Sequence, residues 1–310
     1  LEKEGIITLS LISKNIIGDY NIRYLFDWNI EGIFNLNSKL LTKYINKFNI
    51  KNNIILNFSN IFVFPSHIWY FGGSLYSFFV NSSLNFLAPI IYNLEKKLVQ
   101  RYRILSKFIC TVSEYVKKSL YSIYGISADC VIYPPIDVNV FRPVVSSPRG
   151  DYVLTYFGKE TRYDVIKKIA DRGVRIVAFG SKGARFAPRS VLYHRNIHFL
   201  GGVSISRLVD LYSNALFTLF PFTEEPFGYI PVESMACGTP VLTYRRQGPA
   251  ETVIDNYTGW LADNDDVLVE TALRLWKNGY DENIRRYARD HAMKFHYEII
   301  ANNLLKIILN

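Results

Sequence analysis

The stretch Glu225-Pro-Phe-Gly-Tyr-Ile-Pro-Val-Glu233 places two glutamates on either side of a Phe-Gly step. It follows the apolar run over residues 215–220, which is typical of a buried parallel strand. Residues 232–237 predict a short helix. A strand–loop–helix unit of this kind directs backbone N–H groups towards an anion. We therefore expect Glu225 on the loop and Glu233 in the first turn of the helix. There they would accept hydrogen bonds from hydroxyl groups on both sides of a bound diphosphate.

The chain is long enough for two domains. Its 310 residues exceed what a single core usually holds. A hydrophobic content of 49% with 20% charged residues describes a folded protein rather than a disordered one. Alternating strand and helix patterns after residue 151 predict a doubly wound parallel α/β sheet, with ligands at the carboxyl ends of its strands. We expect a first domain over 1–142, a linker over 143–150, a second domain over 151–282, and a C-terminal helix over 283–310 that crosses back onto the first domain.

Motifs on both sides of the acid pair extend the pattern. They are Asn196-Ile-His-Phe-Leu-Gly201, residues 208–215, Gly238-Thr-Pro-Val, Gly248-Pro-Ala-Glu251, Thr258-Gly-Trp-Leu, Ser113-Glu-Tyr-Val-Lys-Lys118 and Tyr133-Pro-Pro-Ile-Asp137. As a set they resemble the retaining GT-B glycosyltransferases of family 4 (glycosyl transferases group 1). The resemblance implies two Rossmann-like domains facing a cleft, the first for the acceptor and the second for the nucleotide-sugar donor. The strand predicted over 5–13 resembles the second strand of the family's first domain. The family's first strand and its glycine-rich loop have no counterpart here.

The resemblance implies a role for each residue of the acid stretch. Glu233 would accept hydrogen bonds from the ribose hydroxyls, and Glu225 would contact the hydroxyls of the donor sugar. The amides of Phe227 and Gly228 would face the sugar and the diphosphate. Glycine suits the last position because a side chain there would obstruct the close approach of a ligand.

Two cations follow the strand predicted over 152–157. Lys159 comes directly after Gly158, and Arg162 follows three residues later. Arginine can contact a diphosphate through two hydrogen bonds, and lysine acts as a point charge. Lys159 matches the family's first cation. Arg162 is our candidate for the second, with Lys167 and Lys168 as rivals, and a solvated loop of charges is the alternative.

Two further positions complete the predicted site. Gly180 ends the strand over 174–180 and is a donor-binding candidate, because the loop that it opens would shape selectivity for the base. His67 follows the strand predicted over 61–64, and the resemblance implies a catalytic histidine there, facing the donor sugar. A structural histidine in the core is the alternative.

The reaction that the resemblance implies is transfer of a hexose, glucose or mannose, from a nucleoside diphosphate to an acceptor hydroxyl, with retention of configuration. Fixed cations and helix N–H groups can stabilise the leaving diphosphate without a metal. We expect no metal and no cofactor, and we assign Asp263-Asn-Asp265 to a turn. A glycosidase would need two carboxylates ~5 Å apart. The alternatives are a GT-B protein that binds nucleotide sugars or glycans without turnover, and a GT-B epimerase.

The net charge of +9 indicates an anionic partner. Nucleic acid is not expected, because no recognition motif accompanies the charge. Residues 52–94 contain no charged side chain, but prolines, glycines and polar residues interrupt every apolar run, so no transmembrane helix is expected. The basic helix over 95–103 follows, and its apolar face is predicted from Leu94, Leu98, Tyr102 and Leu105. Either this region rests on an anionic membrane, beside a lipid-linked acceptor, or its aromatic residues fill the core.

The cysteines bear on localisation. Cys110, Cys130 and Cys237 have neither metal-ligand nor Cys-x-x-Cys spacing. This scattered set argues against a disulfide framework and for a reducing compartment. We expect a cytoplasmic protein, either soluble or peripheral on the cytoplasmic face of a membrane.

Overall fold

The computed structural model describes residues 56–58, 65–80, 84–145 and 148–309. It divides into two compact units, one formed by the chain up to Pro135 together with the residues from Tyr297 onward, and the other by Ile136–His296. The division after Pro135 comes earlier in the chain than the linker expected over 143–150. The strands predicted over 5–13 and 61–64 lie outside the described residues.

Among the described residues, the first unit contains a four-stranded parallel sheet in the order β1-β2-β3-β4. Its strands are β1 Leu56–Asn57, β2 Ser66–Phe71, β3 Ser106–Thr111 and β4 Cys130–Val131, and the described helices up to β4 are α1 Leu75–Val80, α2 Ala88–Leu105 and α3 Glu114–Tyr124. Parallel neighbours need long crossover connections, and α2 supplies the one between β2 and β3. Trp69 of β2 stacks on Tyr102 of α2 with ring centroids 4.0 Å apart, which fixes the helix against the sheet.

The buried face of α2 contains a carboxylate. Glu95 is 3% exposed and accepts hydrogen bonds from the Leu75 and Tyr76 amides at 2.9 and 2.8 Å and from the Tyr124 hydroxyl at 2.6 Å. A buried carboxylate needs such partners, and here they cap the start of α1. Val99 and Tyr102 share this face. Of the four residues that the sequence places on one apolar face, Tyr102 is buried, whereas Leu94 and Leu105 are exposed.

The end of the chain forms two helices rather than the single helix predicted over 283–310. Helix α11 spans Asn283–Ala292, a 3-10 turn spans Met293–Phe295, and α12 spans Tyr297–Leu309. The break occurs where the Phe295 carbonyl accepts from the Ile136 amide at 2.9 Å and His296 forms a β-bridge with Ile136. Helix α12 belongs to the first unit, where Ile300 joins its hydrophobic core.

The second unit contains a six-stranded parallel sheet in the order β10-β9-β8-β5-β6-β7. Its strands are β5 Val153–Tyr156, β6 Ile176–Phe179, β7 Ile197–Phe199, β8 Thr218–Phe220, β9 Val241–Tyr244 and β10 Gly259–Ala262. Its helices before α11 are α4 Tyr163–Asp171, α5 Gly183–Phe186, α6 Arg189–Leu192, α7 Ile205–Asn214, α8 Tyr229–Ala236, α9 Pro249–Thr252 and α10 Asp265–Asn278. Apolar residues pack on both faces of the sheet, so its strands are rich in apolar residues. The doubly wound fold predicted from the sequence is confirmed.

The strand order creates a switch point between β5 and β8. From β5 the chain adds β6 and β7 on one side, and it then returns to place β8 on the other side of β5. In open α/β sheets the connections leave in opposite directions at such a point, which opens a crevice at the carboxyl ends of the two strands. This crevice is where the second unit can bind a ligand.

The cysteines of the first unit correct another expectation. Cys110 of β3 and Cys130 of β4 are register partners, with Cα atoms 4.7 Å apart, and a disulfide joins them. The sequence argued against a disulfide framework, and this pair departs from that expectation because neighbouring strands bring together residues that are distant in sequence. Cysteine usage therefore no longer argues for a reducing compartment.

Candidate functional site

Three loops meet at the carboxyl ends of β5, β8 and β9. The loop over 157–162 joins the loop over 221–228 through a β-bridge between Thr161 and Phe222 and through a hydrogen bond from the Thr223 amide to the Glu160 carbonyl at 3.2 Å. The 245–248 loop joins them because the Gly248 amide donates to the Glu225 carbonyl at 3.0 Å. The predicted donor-binding residues of the second unit, apart from Gly180 and Glu233, therefore lie on interconnected loops at the switch point.

Glu225 lies on the loop after β8, as the sequence predicts. Its backbone amide donates to the Gln247 side-chain oxygen at 3.0 Å. One carboxylate oxygen, Oε1, accepts from the Gly228 amide at 3.0 Å and from the Phe227 amide at 3.4 Å. Burial raises the pKa of Glu225, and these two amides oppose the rise. The amides predicted to face a donor thus contact Glu225 itself.

The backbone of this region adopts unusual conformations. Gly228 begins α8 with φ of +91°, and a Cβ there would lie 3.0 Å from Pro249 Cγ, so glycine is required for conformation as well as for space. Glu224 and Gln247 also have positive φ, 59° and 62°, although neither is glycine. Left-handed conformations cost non-glycine residues ~1–2 kcal/mol. Such strain is concentrated at functional sites in many proteins, and here it lies on both sides of Glu225.

Glu233 lies further along α8 than predicted. The helix begins at Tyr229, so Glu233 is in the second turn, and the expectation of the first turn is wrong. Pro231 obscured this start in the sequence, although the first turn of a helix tolerates proline. The Tyr212 hydroxyl donates to Glu233 Oε2 at 3.1 Å. Burial raises the pKa of Glu233 to about 7, and the hydrogen bond from Tyr212 opposes the rise.

The loop after β5 gives its two cations different surroundings. Lys159 is exposed on this loop, next to Gly158, whose amide donates to Thr161 Oγ1 at 2.8 Å. The Arg162 guanidinium donates to Asp164 at 2.9 Å and contacts Asp265. Two carboxylates therefore engage this side chain, which links the first residues of α4 and α10, and its expected diphosphate role stays a prediction.

Lys168 is exposed on α4, whereas the rival cation Lys167 and the Asp263-Asn-Asp265 segment have structural partners. Lys167 pairs with Asp171 one turn along α4, at 2.8 Å. In the Asp263-Asn-Asp265 segment, Asn264 caps α10 by accepting from the Val267 amide at 3.0 Å, and Asp263 pairs with Arg245 at 3.0 Å. In the part of the chain that the structure describes, no group of three or more side chains has the composition of a metal site.

Gly180 lies at the carboxyl end of β6. Its φ is +147°, and a Cβ there would lie 2.3 Å from the Phe157 carbonyl oxygen. Its amide donates to the Gly201 carbonyl at 2.7 Å. Glycine is required here because the ends of β5 and β6 approach each other too closely to leave room for a Cβ.

His67 is not where the sequence places it. It lies within β2, which ends at Phe71, so the expectation that it follows a strand is wrong. Its neighbour Ser66 pairs with Ser106 at the start of β3, which places His67 at the amino end of the parallel pair. Burial and the nearby Lys107 lower the pKa of His67. Ligands bind at the opposite, carboxyl end of such sheets, where Gly72 and Gly73 follow β2, so this position does not support the catalytic role predicted for His67.

Sequence reasoning missed two residues of the site. Gln247 accepts from the Glu225 amide, and Tyr212 donates to Glu233. Gln247 directly precedes the Gly248 motif, and this was the one signal that could have located it. Nothing in the sequence indicates its left-handed backbone. Tyr212 lies in the helix pattern over 208–215, where an aromatic residue is expected in the core.

Comparison with known proteins shows that part of the second unit matches a family model. Residues 163–291 match the family model described as Glycosyl transferases group 1. A D-inositol 3-phosphate glycosyltransferase of Acidothermus cellulolyticus is 36% identical over 103 residues, which are 33% of this chain and 23% of that protein. An uncharacterized glycosyltransferase of Methanocaldococcus jannaschii is 31% identical over 202 residues, which are 61% of this chain and 54% of that protein. The chain thus spans between about a quarter and about half of the length of these relatives.

Solved structures resemble more of the chain. Sucrose-phosphate synthase from Thermosynechococcus elongatus has a TM-score of 0.70 at 18% identity, covering 88% of this chain and 79% of its own. Anabaena HepE, solved in complex with UDP and glucose, has a TM-score of 0.69 at 16% identity, covering 90% and 84%. At these identities the likeness shows the fold. The chain therefore has the α/β fold with parallel sheets of the GT-B glycosyltransferases, and its residues 163–291 match the glycosyl transferases group 1.

Proposed function

We propose that the chain is a retaining hexosyltransferase that binds a nucleoside-diphosphate sugar at the carboxyl ends of β5, β8 and β9. The observation that carries this proposal is the pair Glu225 and Glu233. Both are held beside the start of α8, and burial raises the pKa of each. The relatives are named as glycosyltransferases, and HepE, one of the structural neighbours, was solved with UDP and glucose bound. UDP-glucose is therefore the first donor to test, with mannose as the second hexose.

Each residue has a defined part in the proposed reaction. The Glu233 carboxylate accepts from ribose hydroxyls, a task that requires its ionised form. The Phe227 and Gly228 amides hold Oε1 of Glu225, and its other carboxylate oxygen, Oε2, accepts a hydrogen bond from a hydroxyl of the donor sugar. Lys159, exposed at the end of β5, contacts the diphosphate as a point charge. Together with N–H groups at the start of α8 it stabilises the departing diphosphate, a type of interaction worth ~3 kcal/mol per donor in enzymes. The proposed reaction uses no metal and no cofactor.

The acceptor is a hydroxyl group, which we propose to be part of a glycan or a lipid-linked molecule. The protein would then work in the cytoplasm, at or near the cytoplasmic face of a membrane. This part of the proposal rests on the basic character of the chain, +9 at neutral pH, and on the glycosyltransferase relatives. Nucleic acid is not expected as a partner.

A binding panel tests the donor site directly. We expect one nucleotide series among UDP-, GDP- and ADP-sugars to raise the melting temperature, because a ligand that binds only the folded state stabilises it by about 2.7 kcal/mol at a hundredfold excess over Kd. Lys159→Ala should flatten the response. Lys277→Ala, which removes an exposed lysine from the last turn of α10, is the matched control and should leave the response unchanged. Equal responses of the two variants would refute the role of Lys159.

Product analysis tests the chemistry. We expect the purified chain to transfer the sugar, or to hydrolyse the donor slowly, with the anomeric configuration retained by NMR. Glu225→Gln should abolish transfer, whereas Glu270→Gln on the exposed side of α10 should not. Inverted product would refute the retaining mechanism. Tight donor binding without turnover would instead support a nucleotide-sugar binding protein on the same fold.

A further inference from the structure

Helix α2 exposes apolar side chains on the face that points away from the core. Its buried residues Glu95, Val99 and Tyr102 define the inner face. At 3.6 residues per turn, Ile90, Leu94, Lys97, Arg101 and Ile104 form a stripe on the opposite side. The three apolar members are 58%, 36% and 81% exposed. Exposed apolar side chains on a helix's outer face are unusual in a surface that only contacts water.

The exposed apolar surface continues ahead of the helix. Phe86 lies in the 3-10 turn that leads into α2, four residues before Ile90, and is 68% exposed. Leu84 immediately precedes this turn and is also exposed. Large apolar side chains are therefore presented over more than the length of α2, and we call residues 84–104 on this side the outer face.

The charges of the outer face all have one sign. Lys97 and Arg101 are exposed between the apolar positions of the stripe. The helix contains one acidic residue, Glu95, and it is buried with its carboxylate hydrogen-bonded. Arg103, another basic residue of the helix, pairs with Asp129 at 3.7 Å, so it is not part of the stripe's charge.

We propose that the outer face of α2 is a docking surface for an anionic lipid membrane. Apolar side chains would enter the boundary between headgroups and acyl chains, while the Lys97 and Arg101 stems reach up to place their charges at lipid phosphates. The helix would lie in the plane of the interface. The charge argues against a second copy of the chain as the occupant, because an isologous contact would bring like charges together. Among the described residues no helix is long and apolar enough to cross a bilayer.

This inference goes beyond the proposed glycosyl transfer and does not depend on it, since membrane binding requires no donor and no turnover. We expect the whole chain to co-sediment with phosphatidylcholine vesicles that contain phosphatidylglycerol and to bind pure phosphatidylcholine vesicles at least about tenfold more weakly. The double variant Lys97→Glu and Arg101→Glu should lose the preference for the anionic vesicles. The triple variant Ile90→Ser, Leu94→Ser and Ile104→Ser should lose at least about tenfold in binding to them.

Controls with the same chemistry elsewhere keep the test specific. Lys168→Glu on α4 and Ile205→Ser on α7 change an exposed lysine and an exposed isoleucine of the second unit, and neither should alter vesicle binding. All substituted positions are exposed, so circular dichroism should show the wild-type fold. Wild-type binding by the charge-reversed or the serine variants would overturn the proposal. The proposal would also be overturned if sedimentation equilibrium showed that the wild-type protein is a dimer and that these variants are monomers, because the outer face would then bind a second copy.

Discussion

Replacing Glu233 by glutamine should stabilise the protein at alkaline pH while it abolishes donor binding. Burial raises the pKa of this carboxyl group from 4.5 to about 7. Between these two values the folded protein holds a proton that the unfolded chain releases. Stability therefore falls as the pH rises through this window, and above it the ionised carboxylate bears the full desolvation cost. Glutamine is uncharged, has nearly the same shape, and can still accept the hydrogen bond from Tyr212.

The magnitude follows from the pKa difference. One pKa unit corresponds to 1.36 kcal/mol, so a shift from 4.5 to about 7 amounts to ~3 kcal/mol. Because Glu233 is only half-buried, solvent screens part of this cost, and we expect ~2 kcal/mol of extra stability for the glutamine variant well above neutral pH. At a pH below 4.5 the difference should vanish, since the wild-type carboxyl group is then protonated in both states.

Urea unfolding of both proteins across this pH range is the measurement. Glu270→Gln removes an exposed carboxylate from α10 and serves as the control, with little change expected at any pH. Parallel stability curves for wild type and Glu233→Gln would refute the reasoning, because they would show that ionisation of Glu233 costs nothing. If the variant is more stable but still binds the donor normally, the ionisation cost of Glu233 is supported, and Glu233 does not contact the donor. Gain of stability with loss of binding is the pattern expected of a functional residue.

Substitutions at three further positions have defined outcomes. Gln247→Ala removes the acceptor of the Glu225 amide and should cost ~1–2 kcal/mol in urea unfolding and lower kcat/KM for the donor. Gln247→Gly should recover ~1 kcal/mol of that stability by relieving the positive φ, without recovering kcat/KM, and recovery of both would contradict a role in positioning Glu225. Gly180→Ala should lower the melting temperature by several degrees, because its Cβ would meet the Phe157 carbonyl at 2.3 Å, and an unchanged value would show that this edge can relax. Tyr212→Phe removes a hydrogen bond that lowers the pKa of Glu233, so the pH dependence of donor binding should move upward, and an unmoved profile would exclude this coupling.

The second unit could be predicted from the sequence because its sheet is covered on both faces. The run over 215–220 is apolar except for Thr218, since β8 is covered on both faces. The loop glutamate Glu225 was located by the same reasoning, as a polar residue directly after such a strand. The switch point between β5 and β8 then follows from the connectivity of a doubly wound sheet.

The first unit resisted prediction where polar groups are buried. Glu95 lies on the inner face of α2, so apolar periodicity alone does not mark that face. The position of His67 in the sheet was mispredicted for a different reason. The aromatic, uncharged stretch around it contains few residues that mark where a strand begins. The actual strand ends just before Gly72, and the histidine is at its amino end.

Partners distant in sequence account for the contacts of the site that the sequence did not reveal. Arg162 has the residue type and the spacing of a phosphate ligand, but Asp265, more than a hundred residues later, engages it. The left-handed backbone of Gln247 likewise lies in a loop that packs closely against Pro226. A Cβ on the next residue, Gly248, would lie 2.3 Å from the Pro226 carbonyl oxygen. No local pattern contains such information.

The placement of α12 has a consequence for synthesis in the cell. Ile300 and the residues that follow it complete the core around Ile68, Cys110 and Ile132, although the ribosome makes them after the second unit. The first unit therefore remains open until α12 has emerged, whereas the second unit, continuous from Ile136 to His296, can close earlier. A premature stop before Tyr297 would leave the apolar residues of this core uncovered, in a form that chaperones and proteases recognise.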